Sequence, residues 1–467
     1  MIKYPVSFFM IFGLTLFHYV LPIPLTLLEL KPVTYNLLMP FETFLHHGLF
    51  LLVIIITHFF YRKITLRRNP LRSILKKTNF YKRPTDFQIW STSLVALLSS
   101  AYFYFVYGSW ENYEAKNIFV TIGKSLGVYL WMPIIIPFFK VRQVEGRLTN
   151  KAKSFIIIYS LLVGVIAVVS NWRTILYSGF VIFLLLYLIG LLYGYYELKH
   201  NFSTNKIVMM FIGFYVITGP IMDLGTAMVI TRQTRYTTSS YDFFKNTFET
   251  YQDKELLRKF NAVIADNGKI DYSIKKWDEE YLSNYALNRF CNLKISDNCI
   301  YYAEKIGFAN ERMQNVLLDQ VLSIIPGFIS NSIDFKTETR GEIYQSSITD
   351  NLYSLAINDT TVKGSAIIGS MPGVGLSIFG YWYLIAIIPI FLIIFTMFDS
   401  FAYVFKNKVY FSYYFFTVVF IVFNFFNDRH VYNFELKWIL RNYFESIILF
   451  LIVFNFTKNI EKYFLKR

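Results

Sequence analysis

The 467-residue sequence predicts an all-α polytopic membrane protein of about ten transmembrane helices with one large, mainly helical outer insert. Three observations carry that prediction. The chain is 55% hydrophobic and 20% aromatic with mean hydropathy +0.40, which fits a membrane protein and no soluble class. Apolar stretches of ~20 residues, the length that crosses the ~30 Å hydrocarbon core, recur along it. Lysine and arginine crowd into every second connection between them.

Seven stretches come first, at 6–28, 37–60, 87–107, 118–139, 154–172, 174–196 and 207–231. A polar segment then interrupts, and three more follow at 370–398, 409–427 and 439–456. The chain thus divides into helices one to seven (1–231), the insert (232–365) and helices eight to ten (366–467). The connection after the second stretch carries Arg62, Lys63, Arg67, Arg68, Arg72, Lys76, Lys77, Lys82 and Arg83. Basic residues return at Lys140, Arg142, Arg147, Lys151 and Lys153, at Lys406 and Lys408, and in the C-terminal tail. The alternate connections are poor in them: 29–36 has one lysine, and 108–117 has Glu111, Glu114 and only Lys116. The positive-inside rule puts both termini in the cytoplasm and the insert outside. Lys3 precedes a long apolar run with no small-residue cleavage site, so the first stretch is expected to be a span rather than a cleaved signal.

The net charge of +15 belongs to those loops. The insert is close to neutral, with 16 Lys+Arg against 18 Asp+Glu. The excess orients the chain and attracts the anionic leaflet, so membrane lipids rather than nucleic acid are the expected polyanionic partners. Both cysteines, Cys291 and Cys299, fall in the insert; in an oxidising exterior they are expected to form a disulfide. No histidine accompanies them, so no metal site is expected.

The insert has helical pattern. Leu256, Phe260, Val263 and Ile264 share one helix face, as do Val316, Leu317, Gln320, Val321, Ile324 and Ile325, a run that stops at Pro326 and Gly327. Residues 365–380 are rich in small residues, which suits close helix contact or a broken, partly re-entrant start to the eighth span. They lack the lysine of a phosphate-binding loop.

Charges at the outer rim work against the positive-inside bias and are the functional candidates. Arg173 sits in a tight turn between two spans. Arg232 and Arg235 close the seventh span, Lys336 and Arg340 lie four apart beyond Pro326, and Arg429 and His430 precede the tenth span beside Lys437 and Arg441. Singly, such residues snorkel at the interface. As a set brought by several segments, they are expected to converge on phosphate oxygens, which the arginine fork matches. Asp223, inside the seventh span, would pair with Arg173 or accept a proton. Glu435, Asp428, Glu338 and Glu342 are further acidic candidates.

In layout and in several short motifs the chain resembles the O-antigen polymerase (Wzy-type) family of oligosaccharide repeat-unit polymerases. The matching elements are Asn171, Trp172 and Arg173 opening an apolar helix, and Arg232 with Arg235 where the large outer loop begins. Ser323 through Ile329 followed by Lys336 looks like the family's Pro-then-Lys segment, and Ser370, Met371 and Pro372 before Gly380, Tyr381 and Trp382 look like the helix returning to the membrane. The resemblance implies a GT-C-like fold in the bacterial inner membrane, with a periplasmic insert. It implies a glycosyltransferase that needs no metal, nucleotide sugar or other cofactor and joins undecaprenyl-pyrophosphate-linked oligosaccharide units. Arg173, Arg232, Arg235 and Asp223 would then be catalytic, and Lys336, Arg340, Arg429 and His430 would bind substrate. A chain-length regulator is a further expected partner. An O-antigen ligase shares the fold and leaving group; a flippase or transporter, or a non-catalytic scaffold, are the other classes.

Overall fold

The computed structural model describes residues 4–64, 69–107, 123, 125–142, 149–170, 173–193, 208, 215, 217–231, 240–267, 277–282, 288, 291–324, 346–365, 367–406, 408–426 and 431–465. In chain order the helices are α1 (Pro5–Leu28), α2 (Pro40–Ile64), α3 (Pro70–Lys76), α4 (Asp86–Tyr107), α5 (Gly127–Phe138), α6 (Asn150–Val169), α7 (Arg173–Leu192) and α8 (Gly219–Ile230). The insert supplies α9 (Ser240–Gln252), α10 (Lys254–Asn267), α11 (Leu293–Ile306), α12 (Glu311–Ile324) and α13 (Ile348–Ile357). Then come α14 (Met371–Phe379), α15 (Tyr383–Asp399), a hairpin of β1 (Ala402–Phe405) and β2 (Lys408–Phe411), α16 (Tyr413–Thr417), α17 (Val419–Phe423) and α18 (Tyr432–Phe464).

Among the described residues six helical stretches are long and apolar enough to cross a membrane: α1, α2, α6, residues Ile175–Leu192 of α7, Met371–Asp399 and α18. They match the first, second, fifth, sixth, eighth and tenth expected spans. The third expected span is helical as α4 but is not among these six; α5 and α8 are shorter apolar helices in the fourth and seventh. The ninth departs from expectation. In place of one helix over 409–427, the chain forms a β-hairpin followed by two five-residue helices. Val409, Tyr410 and Phe411 are strand formers, Lys406 takes φ +46° in the turn, and Tyr403 stacks on Tyr410 across the ladder at 5.1 Å.

The chain forms two compact units. The first comprises Met1–Lys77, Val263–Tyr410 and Ile421–Ser446. Here α1 is bent by its prolines. Pro22 has no N–H for the carbonyl of His18, so the turn widens and Leu21 N–H bonds Leu16 O at 2.8 Å, making a π-turn over Leu16–Val20. The glycine-rich segment both breaks and packs closely, as its composition suggests. α14 is a separate nine-residue helix with Met371 through Ile378 buried, ended by Gly380 at φ +58°. It lies against α11 so closely that a methyl on Gly373 would overlap Cys299 Cβ. Its last carbonyls are taken by the turn after α11 and by α12: Ala309 N–H bonds Leu376 O at 3.1 Å, Asn310 N–H bonds Ser377 O at 2.7 Å, and the Gln314 side chain of α12 bonds Ile378 O at 2.9 Å.

The second unit comprises Thr78–Ala262, Phe411–Phe420 and Ile447–Arg467. Phe80, Tyr129, Tyr414 and Phe450 form its aromatic centre. Tyr413 donates to Met132 O at 3.3 Å, and Trp131 Nε1 to Ile175 O at 3.2 Å. α9 packs on α6 and α8.

Candidate functional site

Of the residues singled out in the sequence, Arg232, Arg235, Lys336, Arg340, Arg429 and His430 lie outside the described residues, as does the side chain of Arg173, whose backbone opens α7. Asp223 is described. It lies in α8, is 38% exposed, and accepts from Lys254 at 2.8 Å across to α10. A lysine of the insert thus pairs with it.

The expected disulfide is overturned. Cys291 and Cys299 are free, buried thiols in different surroundings. Cys291 packs with Tyr281, Leu282 and Leu293, while Cys299 faces Gly373 of α14. Seven residues separate them, and from Leu293 onward they are helix. Six residues at ~1.5 Å rise put Cys299 about 9 Å beyond Leu293, past the ~7 Å Cα separation a disulfide tolerates. Burial pushes each thiol up to about 12, so neither is a ready nucleophile.

The first unit carries three buried polar centres that the sequence did not rank. At one end, Asp399 latches the start of α1. Its Oδ1 accepts from the N–H groups of Val6 (3.2 Å) and Ser7 (3.0 Å), and its Oδ2 accepts from Ser7 Oγ at 2.7 Å. His58 Nε2 lies 2.9 Å from the same Oγ. Ser7 has one hydroxyl hydrogen and gives it to Asp399, so His58 must be the donor. Serine, histidine and aspartate are therefore in contact but wired against nucleophilic use: the carboxylate holds the serine, not the histidine. A carboxylate at a helix N-terminus is stabilising in itself, and Arg72 ties the backbone of Asp399 with a 2.8 Å bond to its carbonyl.

At the other end, Asp297 of α11 is fully buried and accepts from Leu38 N–H (2.8 Å), Met39 N–H (2.7 Å), Thr43 Oγ1 (3.2 Å) and Lys294 Nζ (3.0 Å). It fastens the insert to the start of α2. Asn36 reaches Asp278 at 2.9 Å, and Tyr281 donates to Val33 O, so the 277–297 region sits on the 29–39 connection.

Next to that anchorage lies a small cavity of about 10 Å³, room for one water-sized group. His18, His47, Asn292, Ser296 and Ser370 line it, with Phe50 and Phe426 among its apolar walls. The His18 and His47 rings sit 5.1 Å apart, and Tyr19 donates to the His47 carbonyl. His47 is 1% exposed, yet neither ring nitrogen has a hydrogen-bond partner, and the hydroxyl of fully buried Ser296 has none. Nearly all buried polar side-chain atoms in folded proteins are satisfied, so two orphans facing one cavity mark a place for a guest. The visible sequence signal was a pair of adjacent histidines, His46 and His47, in an otherwise apolar run. Among the acidic candidates, Glu435 gains the most: it is fully buried with both oxygens unpartnered. Among the described residues no group of three or more His, Cys, Asp or Glu could hold a metal ion.

The fold defines a helical membrane protein. No family model, curated protein or solved structure matches the chain.

Proposed function

We propose that the chain is a metal-independent membrane glycosyltransferase that polymerises undecaprenyl-pyrophosphate-linked oligosaccharide units into O-antigen or a related surface polysaccharide. Its spans take a GT-C-like arrangement, and it sits in the bacterial inner membrane with both termini cytoplasmic and works at the periplasmic face. The observation that carries this proposal is the orphan-lined polar cavity beside the point where the insert is fastened to the start of α2. The insert's α11 and the broken helix α14 enclose it with α1 and α2, an arrangement suited to shielding a polar reaction from water.

Further support comes from the ends of the first unit. The start of α1, the close of α2 with Arg72, and the end of α15 are tied together through Asp399. The 29–39 connection and α11 are tied together through Asp297. The basic connection after α2 lies with the chain start through Arg72, and α11 of the insert lies with the 29–39 connection, as a positive-inside layout would have them.

In this mechanism the acceptor sugar's hydroxyl oxygen bonds to the anomeric carbon of the growing chain as its proton passes to a basic group, and the bond from that carbon to the pyrophosphate oxygen breaks. Arg173, Arg232 and Arg235 stabilise the charge gathering on the leaving pyrophosphate. Lys336, Arg340, Arg429 and His430 hold the substrates, and Asp223, already engaged with Lys254, is the acidic member of the set. Cells lacking the protein test the class: single capped repeat units should remain. Their absence would point to a flippase, and full-length polymer carried on its lipid would point to a ligase.

A further inference from the structure

We propose that the N-terminus of α14, with His47 and Ser296, forms a site for one anionic oxygen of a phosphate group. Only the identity of the molecule carrying that phosphate rests on the polymerase proposal. Ser370, Met371 and Pro372, the cap and first turn of α14, line the cavity. A helix start carries about half a positive charge and favours anions. Two independent groups point the same way: His47 and Ser296 are more than nine-tenths buried, face the same cavity and lack partners.

The donor set fits an oxygen acceptor. Ser296 Oγ–H and a ring N–H of His47 are unused, whereas the Gly373 N–H is already given to Ser370 Oγ at 3.3 Å. Among the described residues no carboxylate lines the cavity. Asp297, adjacent to Ser296 in sequence, is occupied by Lys294, Thr43 and two backbone N–H groups, so it neither repels an anion strongly nor offers ligands to a cation. At about 10 Å³ the cavity admits a single oxygen. Leu14, Phe50 and Phe426 in the walls keep bulk water from competing.

The phosphate could be free or the head of a lipid, and two probes separate these sources. Full-length protein in detergent is titrated with inorganic pyrophosphate and with farnesyl pyrophosphate over a sodium chloride background of matched ionic strength, with melting temperature as readout. At least one probe should stabilise the wild type, and Ser296→Ala and His47→Gln should each weaken its binding at least tenfold. Ser296→Ala removes only an unpartnered hydroxyl, so it keeps the test valid if His47→Gln folds poorly. Stabilisation by the farnesyl compound alone assigns the site to a lipid headgroup; stabilisation by both assigns it to phosphate as such. Wild-type affinity in Ser296→Ala, or no stabilisation by either probe, overturns the site. Polymer formation by a protein whose Ser296→Ala variant binds like wild type removes this site and leaves the polymerase standing. Binding that depends on Ser296 in a protein that makes no polymer does the reverse.

Discussion

Replacing Asp297 with alanine should be among the most destabilising single substitutions in the first unit. Its carboxylate is 0% exposed and serves four donors, two of them backbone N–H groups at the start of α2. Its partner Lys294 is 1% exposed, and the Asp297 contact at 3.0 Å is an ion pair within one turn of α11. Removing the carboxylate strands a buried ammonium, a loss that costs ~3–5 kcal/mol in other buried pairs. Each unsatisfied backbone N–H adds up to ~1–3 kcal/mol, but the terms share one cavity and will not sum. We therefore expect Asp297→Ala to lose about 4 kcal/mol in a denaturant titration of detergent-solubilised protein. Adding Lys294→Met should recover ~1–3 kcal/mol, because the orphaned charge leaves with the lysine. A loss below ~1 kcal/mol, or a double variant no better than Asp297→Ala, would refute the buried-pair argument.

Gly373→Ala sets helix propensity, worth ~1 kcal/mol in alanine's favour, against backbone overlap. The added methyl would overlap Cys299 Cβ and lie 2.6 Å from that residue's carbonyl carbon and 2.7 Å from Ile300 N, so overlap should win by ~1–3 kcal/mol, whereas Gly164→Ala, with nothing within 4 Å, should stabilise. Denatured without reductant, the protein should take up thiol label at both cysteines, and native protein at neither; a single disulfide-protected pair would contradict the helical separation of Cys291 and Cys299. Burial, reinforced by Asp278 and opposed by Lys31, raises the Glu280 carboxyl to about 7. Its folded state thus holds a proton more tightly than the unfolded one; that contribution is present below about pH 4.5 and fades as pH rises through about 7. Glu280→Gln should therefore gain stability relative to wild type between pH 5 and pH 8, and an unchanged difference across that window would sink the assignment.

Hydrophobic run length made the membrane class and six of the spans legible, because α1, α2, α6, α7, α14 with α15, and α18 carry apolar side chains over whole turns. The amphipathic face with Val316, Leu317 and Ile324 became α12, as its 3.6-residue period required. Run length failed at 409–427, where aromatic and β-branched residues are as apolar in a strand as in a helix. Cysteine count misled because it carries no backbone geometry. The polar centres were illegible for a different reason. Asp297, Asp399, His47 and Ser296 are unremarkable in composition, and their meaning lies in partners or orphaned atoms contributed by segments hundreds of residues away. Asp399 meets Ser7 across 392 positions.

The central claim is polymerisation driven by arginine stabilisation of a pyrophosphate leaving group, and reconstitution tests it most directly. Purified protein in liposomes is given undecaprenyl-pyrophosphate-linked repeat units from its own cell, and chain length and released undecaprenyl pyrophosphate are followed together. Wild type should build a ladder with one lipid pyrophosphate released per linkage. Arg173→Ala and Arg232→Ala should each be slowed by on the order of a hundredfold per inserted molecule, with lysine at either position rescuing only part. A wild-type protein that makes no ladder, or arginine variants that build it at the wild-type rate, would contradict the account.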